Sequence, residues 1–123
     1  MPKLSPFIAI VDDEEQIRKA LQRLTRASGY YAETFASGQQ LIDSLAIARP
    51  VCVIMDLYMP GMSGLQTLER LKVADARLPV IIITAFDDPE MHARCLAAGA
   101  TAFLRKPLDD ETLIETVANV IDS

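Results

Sequence analysis

Chemistry-bearing side chains stand at the ends of four short apolar runs in this chain. Phe7 to Val11 stops at Asp12 and Asp13, Val51 to Met55 stops at Asp56, Val80 to Ile83 stops at Thr84, and Thr101 to Leu104 runs into Arg105-Lys106-Pro107. If these runs are parallel strands, three carboxylates, a hydroxyl and an ammonium meet along one edge of one sheet. Carboxylates ~4 Å apart repel by about 1 kcal/mol per pair under water-like screening, and by several at an effective dielectric near ~20. A hard cation relieves that repulsion. Mg2+ prefers oxygen ligands and is commonly held by one or two carboxylates together with a substrate phosphate. In such a site Asp56 is placed to attack a phosphoryl group as a nucleophile, giving an aspartyl phosphate. The plainer alternative is that the acids cap the helices that follow them. That suits Asp12 or Asp13 but suits Asp56 poorly, because Leu57-Tyr58-Met59-Pro60-Gly61 reads as a loop.

The elements that would position these groups alternate from end to end, apolar run then helical pattern, as repeated strand-helix units do. Ile17, Ala20, Leu21 and Leu24 share one helix face, and Gly29 stands where a C-terminal cap is wanted, so the spacing predicts a helix over about Glu14 to Ser28. Tyr31 to Phe35 reads as a weak strand at a sheet edge, given Glu33 within it. Ser37-Gly38-Gln39-Gln40 and Ser63-Gly64-Leu65-Gln66 both match the S-x-x-Q capping box. Asp88-Pro89-Glu90 orders a cap, a first-turn proline and an acid as a helix start does, and Gly99 should close that helix. Leu113, Ile114, Val117, Val120 and Ile121 mark a last helix begun by Asp109 or Asp110.

The expectation is a single α/β domain over residues 1–123, a doubly wound (βα)5 fold with a flavodoxin-like parallel sheet in the order 2-1-3-4-5. The unalternating Val-Cys-Val-Ile-Met and Val-Ile-Ile-Ile runs suit strands covered on both faces, and such sheets bind ligands outside the carboxyl ends of their strands. With strands ~4.8 Å apart, Asp56 lies beside the acidic pair and beside Thr84. Lys106 starts two strands away and must reach inward with its long stem.

Composition removes other function classes. The longest apolar run is about five residues, against the ~20 of a membrane-crossing helix, and the start Met-Pro-Lys-Leu-Ser-Pro lacks a signal peptide's apolar stretch, so a cytoplasmic protein without membrane contact is expected. A net charge of -5 argues against direct nucleic-acid binding. Arg18, Lys19, Arg23 and Arg26 on the first helix read first as a solvated face and second as a docking face. Cys52 and Cys95 lack metal-site spacing and read as core residues, while His92, the only histidine, reads as a helix-surface residue.

Taken together, Val11-Asp12-Asp13-Glu14, Met55-Asp56-Leu57-Tyr58-Met59-Pro60-Gly61-Met62-Ser63-Gly64, Ile83-Thr84-Ala85, Gly99-Ala100 and Phe103-Leu104-Arg105-Lys106-Pro107 resemble the receiver domain of a two-component response regulator over nearly the whole length. The resemblance implies Asp56 as phosphoacceptor, with Mg2+ held by Asp12, Asp13, Asp56 and the Tyr58 backbone carbonyl. It also implies Thr84 as a switch hydroxyl, Lys106 as the cation pairing with the phosphoryl group, Pro107 after a cis peptide bond, and Phe103 as a rotating switch aromatic. Tyr58 and Phe86 depart from the family's commoner small or polar residues at positions flanking the site, and their rings are expected to obstruct hydrolytic water.

A sensor histidine kinase or phosphotransfer protein is the implied donor. The implied output is a changed surface of the fourth helix, fifth strand and fifth helix, carrying His92, Arg94 and Arg105 beside Asp109, Asp110 and Glu115, which engages a partner or, in a phosphorylation-dependent homodimer, a second copy. Such a chain is no enzyme beyond its own phosphorylation and dephosphorylation. Ser123 follows closely on the fifth helix, leaving either a receiver acting alone or the receiver portion of a longer regulator. A rival reading is a small Mg-dependent phosphohydrolase of the haloacid-dehalogenase type. That class carries its nucleophile on the first strand with an acid/base Asp two residues later, where this chain has Glu14 and Glu15.

Overall fold

The computed structural model describes residues 6–122. Each apolar run forms a strand: β1 Phe7–Val11, β2 Tyr31–Phe35, β3 Cys52–Asp56, β4 Val80–Thr84 and β5 Ala102–Arg105. Helices follow each in turn: α1 Glu15–Ala27, α2 Gly38–Ser44, α3 Gly64–Ala74, α4 Pro89–Ala97 and α5 Asp110–Asp122. The strands make one parallel sheet in the order β2-β1-β3-β4-β5, so every carboxyl end points the same way. Five strands, five helices and this order are those expected of a flavodoxin-like sheet.

Alternation along each strand divides the interior into two layers. Val11, Val53, Met55, Val80 and Ile82 pack with Leu41, Leu68, Leu71 and Cys95 of α2, α3 and α4. Ile8, Ile10, Ile54, Ile81 and Ile83 pack with Leu21, Leu113 and Val117 of α1 and α5. Both faces of the central strands are therefore covered, which is why their sequence carries no polar alternation.

Helix ends follow the local chemistry with a few differences. Glu14 is the N-cap of α1 without a side-chain cap bond, and Gly29 takes a φ of 95° just past the helix end. The capping box is complete at α3, where Ser63 Oγ accepts from the Gln66 N–H and Gln66 Oε1 accepts from the Ser63 N–H. At α2 it is displaced: Ser37 Oγ accepts from the Gln40 N–H, but Gln40 Oε1 takes the Ala36 N–H. Asp88 Oδ1 caps α4 through the Met91 N–H, and Asp109 rather than Asp110 caps α5, its Oδ2 accepting the Thr112 N–H at 2.9 Å.

Candidate functional site

The register fixes the site. Val11 lies opposite Met55, and Asp56 opposite Ile83, so Asp12 emerges beside Asp56, with Thr84 ending the next strand. Asp12 is fully buried and Asp56 is 6% exposed, while Asp13 faces solvent. One carboxylate oxygen from each of Asp12, Asp13 and Asp56 lies within 4.8 Å of the others.

Lys106, on the turn after β5, reaches farther than its nearest expected partner. Its Nζ is 3.5 Å from Asp56 Oδ2 and 3.3 Å from Asp12 Oδ2, one strand beyond. Asp12 Oδ1 accepts the Glu14 N–H at 2.9 Å, and Arg18 Nη1 donates to the Asp12 carbonyl at 2.6 Å. Arg18 thus supports the acidic loop, whereas Lys19 on the same helix forms an exposed pair with Glu15. Asp56 Oδ1 takes a long 3.4 Å bond from the Tyr58 N–H. Burial pushes the Asp56 carboxyl above its ordinary range, Lys106 opposes that shift, and the neighbouring Asp12 charge adds to it.

Hydroxyl and aromatic groups form a rim. Thr84 is fully buried, its Oγ1 accepting the Phe86 N–H at 3.2 Å, and the Thr84 carbonyl accepts the Lys106 N–H at 2.7 Å. The Lys106–Pro107 peptide is cis. The Tyr58 and Phe86 rings meet edge to face with centroids 5.1 Å apart, and Tyr58 Oη donates to Asp88 Oδ2 at 3.2 Å. Partial burial and that bond to the Asp88 carboxylate raise the Tyr58 phenol above its ordinary range. Phe103 is half-buried and stacked on His92 at 4.1 Å.

A model of the response regulator receiver domain family matches residues 8–118. The chain belongs to that family.

Its relatives agree with the fold and the signalling class. The receiver is 37% identical over 112 residues to the DNA-binding transcriptional regulator NtrC of Klebsiella pneumoniae, covering 91% of this chain but only 24% of NtrC. It is 36% identical over 110 residues to sporulation initiation phosphotransferase F of Bacillus subtilis (strain 168), covering 89% of each. The crystal structure of a CheY-like receiver domain protein from Methanospirillum hungatei JF-1 superposes with a TM-score of 0.90 at 25% identity, over 95% of this chain and 94% of that one.

This receiver carries an acidic group able to hold a metal ion, consistent with phosphoacceptor signalling. An all-oxygen, multiply charged donor set fits Mg2+ rather than a softer metal. Asp12, Asp13, Asp56 and Lys106 come together as the sequence led one to expect. Thr84 adjoins them with its hydroxyl engaged by Phe86, and Phe103 lies off at the α4–β5 seam. The bond of Arg18 to the Asp12 carbonyl, that of Asp88 to Tyr58 and the stacking of His92 on Phe103 were missed, as was the tight site of Gly64. That glycine follows a capping serine at the first position of α3, and a Cβ there would fall 2.5 Å from the Asp56 carbonyl oxygen. Among the described residues no helix is long and apolar enough to cross a membrane.

Proposed function

We propose that this receiver, one domain over residues 1–123, takes a phosphoryl group onto Asp56 from a sensor histidine kinase or phosphotransfer protein in the cytoplasm. The observation that carries the reading is the convergence of three carboxylates with Lys106 Nζ, 3.5 Å from Asp56 Oδ2, at the carboxyl ends of β1 and β3. An Asp56 oxygen forms the new bond to phosphorus as the bond to the donor's imidazole nitrogen breaks. Asp12, Asp13, Asp56 and the Tyr58 carbonyl would hold Mg2+, which when bound would supply charge neutralisation for the transferring group.

Lys106 pairs with the phosphoryl oxygens, and Thr84 gives up the Phe86 N–H to turn toward them. Phosphorylation brings about two negative charges and three acceptor oxygens, and only contacts that differ between two conformations shift their balance. The Thr84 and Lys106 contacts supply that difference, Phe103 follows at the α4–β5 seam, and the surface of α4, β5 and α5 engages a partner protein or a second copy. Tyr58 and Phe86 screen the acyl phosphate from water. The chain acts on no substrate but its own aspartate, and its net charge of -5 keeps it off nucleic acid.

Exposure to a small acyl-phosphate donor with Mg2+, followed by intact mass measurement, should add one phosphoryl group to the wild type and none to Asp56→Asn. Equal labelling of the two proteins would overturn the assignment.

A further inference from the structure

Tyr58 and Phe86 begin at the reacting groups themselves. The Tyr58 N–H donates to Asp56 Oδ1, and the Phe86 N–H donates to Thr84 Oγ1, so the two side chains leave from the ends of adjacent strands β3 and β4. They then lean together, edge to face, at an interplanar angle of 89°. Tyr58 is 40% and Phe86 60% exposed. Rings that open to water gain little from each other alone, since much of the apolar surface they cover is uncovered again by small rotations.

A third residue fixes the arrangement. Asp88 uses both carboxylate oxygens: Oδ1 accepts the Met91 N–H at 3.1 Å, capping α4, and Oδ2 accepts from Tyr58 Oη at 3.2 Å. Its helix side is stiffened by Pro89 at the first helical position. The phenol is thus tied to a helix end rather than to a mobile side chain.

We propose that Asp88 is a positioning residue for the phosphoryl site, holding the Tyr58 ring against Phe86 as an arch over the ends of β3 and β4 and so setting how long an acyl phosphate on Asp56 survives hydrolysis. This rests on Asp56 being the phosphoacceptor. Hydrolysis adds water across the acyl phosphate, returning the Asp56 carboxylate and inorganic phosphate, and the attacking water must approach from the open side that the arch narrows. Freed from Asp88, Tyr58 rotates outward and the approach widens.

Two substitutions separate the tie from the parts it joins. Tyr58→Phe keeps the ring and deletes the donor. Asp88→Ser keeps a good helix cap but is too short to reach the phenol. Each protein is labelled with an acyl-phosphate donor and Mg2+ and freed of donor, and loss of the phosphoryl group is followed by intact mass. Each single variant should lose its label about three- to tenfold faster than wild type, the scale of one ordinary, solvent-exposed hydrogen bond. The double variant should be no faster than the faster single, because both remove the same contact. Asp88→Asn, which can cap α4 and still meet Tyr58 Oη through its amide, should recover most of the lifetime. Variants that take the full label and keep the wild-type lifetime would overturn the arch alone, as would additive effects in the double variant. A wild type that takes no label would overturn the phosphoacceptor reading and the arch with it.

Discussion

Asp56 is held against its own preference. Burial lifts its carboxyl above the ordinary 3.8, Asp12 adds to the lift, and Lys106 at 3.5 Å only partly offsets it. A group whose folded value is raised binds its proton more readily in the native state than in the unfolded chain. Stability therefore falls as pH rises from the unfolded value through the raised folded one, and it stays at the lower level above that window. Asp56→Asn, which removes the buried charge and keeps the shape, should raise Tm at neutral pH in the presence of a chelator. The gain should shrink as pH falls toward the acid range, where the wild-type carboxyl is protonated. Thermal melts across that range test the sign, and a lower Tm for Asp56→Asn at neutral pH would contradict it.

At the scale of elements, the join between β3 and α3 governs where Asp56 sits. A Cβ on Gly64 would lie 2.5 Å from the Asp56 carbonyl oxygen and 2.7 Å from Leu57 Cα, both backbone atoms that cannot swing aside. Gly64→Ala should cost about 1–3 kcal/mol in denaturant unfolding, the range of overpacked sites, and should also slow labelling of Asp56 because the strand end must shift. Unaltered stability and labelling would show that the loop relaxes freely. The elements themselves were legible in the sequence because their signals are local: Ser63 with Gln66, Asp88 with Pro89, and apolar runs ending in acids. What stayed hidden depends on how distant elements are turned toward one another. Tyr58 and Asp88 are 30 residues apart, so their contact follows from the sheet order and helix azimuth together. His92 read as a surface residue for the same reason, since only the packing of α4 against β5 brings its ring onto Phe103. Even at short range Gln40 chose the Ala36 N–H over that of Ser37, a difference of one residue in backbone path.

For the molecule as a whole, a cation between Asp12, Asp13 and Asp56 would join the ends of β1 and β3 and so favour the folded chain over the unfolded one. Mg2+ at a hundredfold excess over its Kd should add about 2.7 kcal/mol to stability, read as a rise in Tm. Asp13→Ala, at an exposed position, should leave a folded protein without that rise, and a mutant that still gains from Mg2+ would refute the ligand assignment. The two packed layers have a practical consequence as well. Cys52 and Cys95 are both fully enclosed, with burial pushing the Cys52 thiol up to about 12 and the Cys95 thiol upward too. Thiolate is the reactive form, so thiol-directed alkylating reagents will reach neither native cysteine in the intact protein. A single introduced cysteine can therefore carry a dye without competition, and any reaction at the native pair reports that the layers have come apart.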